Sequence, residues 1–429
     1  MSITRTLNTG ASGIRSHGEA LGVTGDNIAN VNTVGFKRSR AVFQDVLGRS
    51  IAGASLNPPT AGAGSKLAAI QQMWSQGALM TTDAPTDMAI AGDGFFMVQD
   101  PARGPMYTRA GQFNLDQEGS LINTQGLRLQ GYVVGADGTM GTELQDLNVA
   151  GQTVPANATT QVDLSVQLNA NDPIIAVPFD PADASNTSNH SGSVTVYDSL
   201  GNSHEITVYY RKTASNTWDW HGVIDGGRLN GGTANTPTEV ASGTLNFTSN
   251  GALDSEAPNA SNWNFVDATA PQAIAFDFGT SIADGGTGLD ATTQFGEQST
   301  NNGIAQDGYA AGTVAGITVG SDGTVLGTFT NGQRRDLGQV ALATFSNVDG
   351  LERAGQGLWT ATNVSGQALV GAPESGARGG IVAGALEGSN VDLGSEFVDM
   401  IAYQRGFQAN SRVITTADEV YSELVNLKR

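Results

Sequence analysis

The chain has 429 residues, with 21 basic and 41 acidic side chains, a formal net charge of −20 and no cysteine. So acidic a chain argues against a nucleic-acid partner, and the missing thiols exclude disulfides, thiol catalysis and Cys-ligated metals. No run of about eighteen apolar residues occurs, so no membrane-spanning helix is expected.

The first predicted element is a helix over residues 1–30. Its apolar residues recur every seven positions, at Leu7, Ile14, Leu21 and Ile28. Such a repeat keeps one helix face turned toward a partner helix. Gly10, Gly13, Gly18, Gly22 and Gly25 lie inside it, and each costs roughly 1 kcal/mol against Ala. The helix is therefore expected to depend on packing, with the glycines letting another backbone approach. Residues 31–72 read as an extended connector: Phe36, Val42, Phe43, Val46 and Leu47 mark a short amphipathic piece. A small-residue loop from Ala52 to Ser65, containing Pro58-Pro59, follows.

From about residue 73 the pattern turns to β. Met88 to Ala91, Gly92-Asp93-Gly94 and Phe95 to Val98 read as strand, tight turn, strand. Two-residue turns are predicted at Asp137-Gly138, Asn250-Gly251, Asp322-Gly323, Asn331-Gly332 and Asp349-Gly350, because Asn-Gly and Asp-Gly tolerate positive φ. A composition shift sets off residues 146–305, which hold seventeen Asp or Glu and three of the five tryptophans, Trp218, Trp220 and Trp263. This segment reads as an inserted acidic outer β domain. After about 306 the first pattern resumes, with Gly320-Ser321-Asp322-Gly323-Thr324 echoing Gly135-Ala136-Asp137-Gly138-Thr139.

The last element is a second helix over 390–429. Its seven-residue row is Leu393, Met400, Phe407, Ile414 and Tyr421, with Val413, Val420 and Leu427 beside it and Leu424 between the two rows. The expected fold is mainly β with long terminal α-helices. Two nested β-sandwich or barrel-like domains sit on an α-helical coiled-coil stem formed by both termini. The domains are 1–30 with 390–429, the connector 31–72, 73–145 with 306–389, and 146–305. The repeat alone leaves open whether the helices pair within one chain or with copies of it, in which case both ends would order on assembly. Segment charges of +3 on 1–50 and −3 on 381–429 suit mutual docking.

Chemistry is not indicated. His17, His190, His204 and His221 are not at metal-ligand spacing. The segments 180–183 and 284–290 lack the regular oxygen donors of a calcium loop. Gly92-Asp93-Gly94 opens a strand rather than a helix, which does not suit phosphate. No nucleophile elbow or triad is present. No enzyme, metal or cofactor is expected.

Two terminal segments carry a resemblance. Asn27-Ile28-Ala29-Asn30-Val31-Asn32-Thr33-Val34-Gly35-Phe36-Lys37 resembles the N-terminal signature of flagellar rod and hook proteins. Asn390 through Phe397, Met400, Gln404-Arg405, Phe407, Asn410 and Ile414 resembles the matching C-terminal one. Gly92 to Phe96, Tyr107 to Gly111 and Leu337 to Ala343 are similar to the family's first β domain. Length and the acidic insert point to the hook branch. The resemblance implies a structural subunit polymerising into a curved, flexible tube, a universal joint passing torque from rod to filament. The seven-residue rows then read as the polymerisation core of that tube: Leu7, Ile14, Leu21 and Ile28 meeting Leu393, Met400, Phe407, Ile414 and Tyr421, with Phe397 and Leu424. The resemblance also implies partners: further copies, rod, hook-cap and hook–filament junction proteins, and the type III export apparatus. Export without a cleaved signal would place the chain in the extracellular hook. A distal rod protein and an exported binding module with an acidic head are the competing expectations.

Overall fold

The computed structural model describes residues 3–46, 62–135, 138–149, 152–258 and 262–426. Leu47, most of the loop from Ala52 to Ser65, Ala136-Asp137, Leu427 and the side chain of Leu424 lie outside the described residues. The chain is mainly β, with one helix toward each end: α1, Ile3–Ala29, and α2, Leu393–Asn426. It divides into two compact units. One comprises Met1–Gln152, Val314–Thr328 and Arg334–Arg429; the other comprises Thr153–Thr313 and Phe329–Gln333.

In the first unit the expected connector is a β-hairpin rather than merely extended chain. Strands β1, Ser39–Asp45, and β2, Ser65–Gln72, pair antiparallel from Ser39↔Gln72 to Asp45↔Ser65, with a bulge at Val42/Phe43. A lone two-stranded ribbon is marginal in water. This one is held against α1, where Ser16 Oγ donates to Ser65 O at 3.1 Å. The sequence hides it because the intervening loop is long and the strands carry few core residues.

The β body of this unit closes by pairing outgoing with returning chain. Leu79–Thr81 pairs with Ala385–Glu387, and Met88–Ala91 with Gly380–Ala383. Phe95–Asp100 pairs with Gly104–Thr108 and also contacts Arg128–Val134 and Leu342–Thr344. The strands on either side of Gly92-Asp93-Gly94 therefore do not pair with each other; both are completed by distant partners. A buried cluster of Phe95, Met97, Tyr107, Ala343, Phe345 and Trp359 fills the centre.

The second unit is a sandwich of two sheets. A five-stranded antiparallel meander runs through His190–Tyr197, Ser203–Ala214, Thr217–Asp225, Pro237–Phe247 and Leu253–Pro258. The facing four-stranded sheet centres on Gln161–Asn169, whose alternate residues Val162, Leu164, Val166 and Leu168 are buried. That period of two is what a half-buried strand requires. Trp218, Trp220, Trp263, Phe265, Phe276 and Phe278 fill the space between the sheets. The expected insert was 146–305; the compact unit is bounded where Thr153 pairs with Thr313. Sheet pairing sets that edge, whereas acidity begins a few residues earlier. Asn250-Gly251, Asp322-Gly323 and Asn331-Gly332 form tight turns with glycine φ near +80°. Asp349-Gly350 instead lies in a short 3₁₀ turn.

Buried Asp198 ties one turn of this unit together. Its carboxylate accepts from Leu200 N and Asn202 N at 2.9 Å, from Asn202 Nδ2 at 3.0 Å, and lies 2.9 Å from His204 Nε2. Burial alone would raise its pKa, but the hydrogen bonds from His204, Asn202 and Leu200 outweigh it and hold the carboxyl below its usual range. A carboxyl with a lowered folded-state pKa contributes stability above its unfolded pKa and loses it as pH falls through the folded value. The unfolding temperature of this unit should therefore drop below about pH 4, and Asp198→Asn should give a shallower drop. Equal acid slopes in calorimetry would contradict the assignment.

Candidate assembly surface

Helices α1 and α2 pack antiparallel. Asn27 Nδ2 donates to Glu396 Oε2 at 3.1 Å, the His17 and Tyr403 rings are 6.1 Å apart, and a Cβ added at Gly10 would lie 2.9 Å from Ile414. The buried face of α1 is made of Gly10, Gly13, Ser16, Ala20, Thr24 and Asn27. This face is small and polar, and it serves the hairpin as well as α2. Gly13 permits the close approach: its missing Cβ would sit 2.4 Å from the Asn410 side chain, so Asn410, whose Nδ2 donates to Gly406 O at 2.8 Å, lies flat on α1. A Cβ added at Gly18, Gly22 or Gly25 would meet nothing within 4 Å among the described residues.

The seam is centred on this small face rather than on the two heptad rows, of which Ile414 meets it at Gly10. Leu7, Ile14, Leu21 and Ile28 are only half-buried, as are Met400 and Ile414. Leu393, Phe397, Phe407 and Tyr421 are exposed, Phe407 by 38% and Tyr421 by 53%. Ile401, Val413 and Val420 are exposed too. Near the end of α2, Val413, Ala417 and Val420 line an open groove of about 420 Å³ with Thr6 of α1. The physical reason for the difference lies in glycine and short polar side chains. They let the backbones close to a distance that the larger apolar residues would prevent. Leu393, Phe397, Phe407 and Tyr421 are left as an apolar stripe that stays exposed among the described residues.

The exit of α1 and the entry of α2 are locked together. Asn27 Nδ2 also donates to Ser39 O at 2.7 Å, and its Oδ1 accepts from Ser39 N at 2.8 Å. Asn30 Nδ2 donates to Asp26 O and its Oδ1 accepts from Thr33 Oγ1. Gly35 has φ +68°, its N–H donates to Glu387 O at 2.7 Å, and a Cβ there would lie 2.6 Å from Ala110 N. Only glycine satisfies both demands. Asn390 Oδ1 accepts from Arg38 N at 2.7 Å, and its Nδ2 donates to Met73 O at 2.8 Å. Phe36 is buried, with the Arg353 guanidinium 5.6 Å from its ring centre. Ala29, Gln404 and Arg405 are exposed.

Beneath this junction lies an ion cluster that has no counterpart among the sequence-derived site residues. Glu387 Oε1 is 2.5 Å from Lys37 Nζ and its Oε2 is 3.4 Å from Arg109 Nη1. All three side chains are buried. Lys37 Nζ also donates to Ser75 O and Gly77 N to Glu387 Oε1. Burial pushes the Lys37 and Arg109 pKa values down, with Glu387 opposing it in both. Glu387 thus couples the exit of α1, the β body and the approach to α2. A Glu 350 positions from its lysine leaves no local pattern.

Comparison with known proteins follows the same layout. Family models of flagellar axial proteins match in chain order. They are the flagella basal body rod protein at residues 7–37, the flagellar hook protein FlgE/F/G D1 domain at 89–170, the flagellar basal body protein FlaE D2 domain at 167–309 and the flagellar basal body rod FlgEFG protein C-terminal model at 382–427. The flagellar hook protein FlgE of Salmonella typhimurium is 38% identical, covering 99% of this chain and 100% of its own length. That of Escherichia coli K12 is 36% identical over 97% and 98%. A crystal structure of the Helicobacter pylori hook protein FlgE2 covers 70% of this chain and 98% of its own, at 15% identity and TM-score 0.47. The chain belongs to the flagellar hook protein family, whose members are structural subunits of the hook. Whole-length similarity to hook proteins favours neither the distal rod nor the exported binding module.

Proposed function

We propose that this chain polymerises through α2. The exposed stripe of Leu393, Phe397, Phe407 and Tyr421 would pack on neighbouring copies, while the small, polar seam with α1 holds each subunit together. The half-buried Leu7, Ile14, Leu21, Ile28, Met400 and Ile414, with Leu424, would complete a coiled-coil-like tubular core. The observation that carries this reading is the apolar stripe itself. It is exposed among the described residues, and exposed apolar surface of this kind marks protein contacts. The β units, the second inserted in the chain of the first, would lie outside the core of terminal helices. They would slide on their neighbours as a curved tube turns, so that the hook works as a universal joint between rod and filament. Signature residues Asn27, Asn30, Thr33, Gly35, Phe36 and Asn390 would act as fasteners where α1 ends and α2 begins, and Asn410 as a contact within the helix seam; Ala29, Gln404 and Arg405, being exposed, suit contacts with copies.

The same reading extends to location and partners. The chain would be exported without a cleaved signal through the type III apparatus, join the extracellular hook, and meet rod, hook-cap and hook–filament junction proteins. Electron microscopy of the full chain beside residues 31–388 tests the core of it. Curved tubes from the full chain alone are expected. Tubes from the trimmed chain would overturn the role of the terminal helices, and straight tubes from the full chain would overturn the hook reading.

A further inference from the structure

A second recess lies in the first unit, away from the helices. It is an indentation of about 370 Å³ walled by Trp74, Phe95 and Phe345, with Arg109 and Asp93 among its lining and Ala377 exposed at its lip. Its aromatic walls are fixed. Trp74 Nε1 donates to Asp349 Oδ1 at 2.9 Å, and Trp74 and Phe345 both meet Phe95 ring to ring, at 5.4 and 5.9 Å. The Arg109 guanidinium lies 5.2 Å from the Phe95 ring centre.

Two observations point to an occupant. First, Arg109 Nη1 donates to Gly92 O and reaches Glu387, but Arg109 Nε is buried and has no hydrogen-bond partner among the described residues. A buried donor left unmatched is costly, and such groups call for an acceptor supplied from elsewhere. Second, the buried charges do not balance. Lys37 and Arg109 face one buried carboxylate, Glu387, while Asp93 is exposed. We infer that this recess is a socket for an Asp or Glu side chain on a second copy of the chain, its carboxylate accepting from Arg109 Nε and its stem lying against Trp74 and Phe345. Charge-assisted pairing of arginine with carboxylate is the strongest hydrogen bond open to that donor. The chain is rich in such groups, with 41 acidic residues. The inference rests on polymerisation as proposed above.

The test places photoreactive benzoylphenylalanine at position 377 of the full chain. Tubes are grown from mixed isotope-labelled and unlabelled subunits, irradiated, and mapped by mass spectrometry. The expected product joins position 377 to an Asp- or Glu-containing peptide of another copy. Ala377→Trp, which plugs the socket, is expected to raise the critical concentration for assembly roughly tenfold, as loss of one charged hydrogen bond would, with the monomer's unfolding temperature unchanged. Crosslinks only within one chain, or to a segment lacking a carboxylate, would overturn the inference. So would tubes forming at the wild-type critical concentration from the plugged chain. If the unmodified chain forms no tubes, polymerisation itself fails and the socket's assignment to a second copy fails with it; tubes indifferent to the plug refute the socket alone.

Discussion

Replacing Phe407 with Asp is expected to abolish tube formation and leave the folded subunit intact. Phe407 is 38% exposed in the single chain, so an Asp there forfeits only part of a phenylalanine's burial and the subunit still folds. In a tube the same position would be covered. Burying a phenylalanine contributes about 1.5–3 kcal/mol, and an unpaired carboxylate in its place adds a desolvation cost of several kcal/mol. Both losses recur at every subunit, so the polymer should not form at attainable concentrations. Sedimentation and microscopy read the assembly, and thermal unfolding reads the monomer. Met400→Asp is the informative companion. Met400 is half-buried, so its substitution should lower monomer stability as well. Normal tubes from the Phe407 variant would refute α2's exposed stripe as the polymerisation surface.

Glu387→Ala is expected to cost the first unit about 3–5 kcal/mol, the usual penalty for removing one partner of a buried ion pair. The substitution strands two buried cations, Lys37 and Arg109, and frees Gly77 N as well. Glu387 also sits in the strand that pairs with Leu79–Thr81, next to the segment leading into α2. The loss should therefore be local to the first unit. Hydrogen exchange resolved by segment would show protection falling over 79–81 and 385–387 and unchanged in the meander strands of the second unit. A loss below about 1 kcal/mol would mean that burial alone, without the ion cluster, holds the junction together.

The ends of the chain were the most legible part of the sequence. Seven-residue apolar spacing at Leu7 to Ile28 and Leu393 to Tyr421 reports helices directly, since only that geometry brings such residues to one face. Frequent Asn-Gly and Asp-Gly turns reported β structure. The acid- and tryptophan-rich stretch marked the inserted segment, because a composition shift is visible without knowing any contact. The residues Asn27, Gly35 and Asn390 were found through a family resemblance rather than from chemistry. The hydrogen bonds that explain them, from Asn27 to Ser39 and from Arg38 N to Asn390, could not be read from spacing.

Periodicity thus determined that each terminus is an amphipathic helix, and turn residues that a β body lies between them. Only the tertiary structure decided which face of each helix meets the other. A heptad row says that a face seeks burial, not what buries it. The closest approach was available to Gly10, Gly13 and Asn410, leaving Phe397, Phe407 and Tyr421 outward. The hairpin on α1 and the Lys37–Glu387–Arg109 cluster were likewise decided in three dimensions. Their partners lie tens to hundreds of residues apart, and electrostatic pairing, unlike helical or strand periodicity, imposes no spacing along the chain.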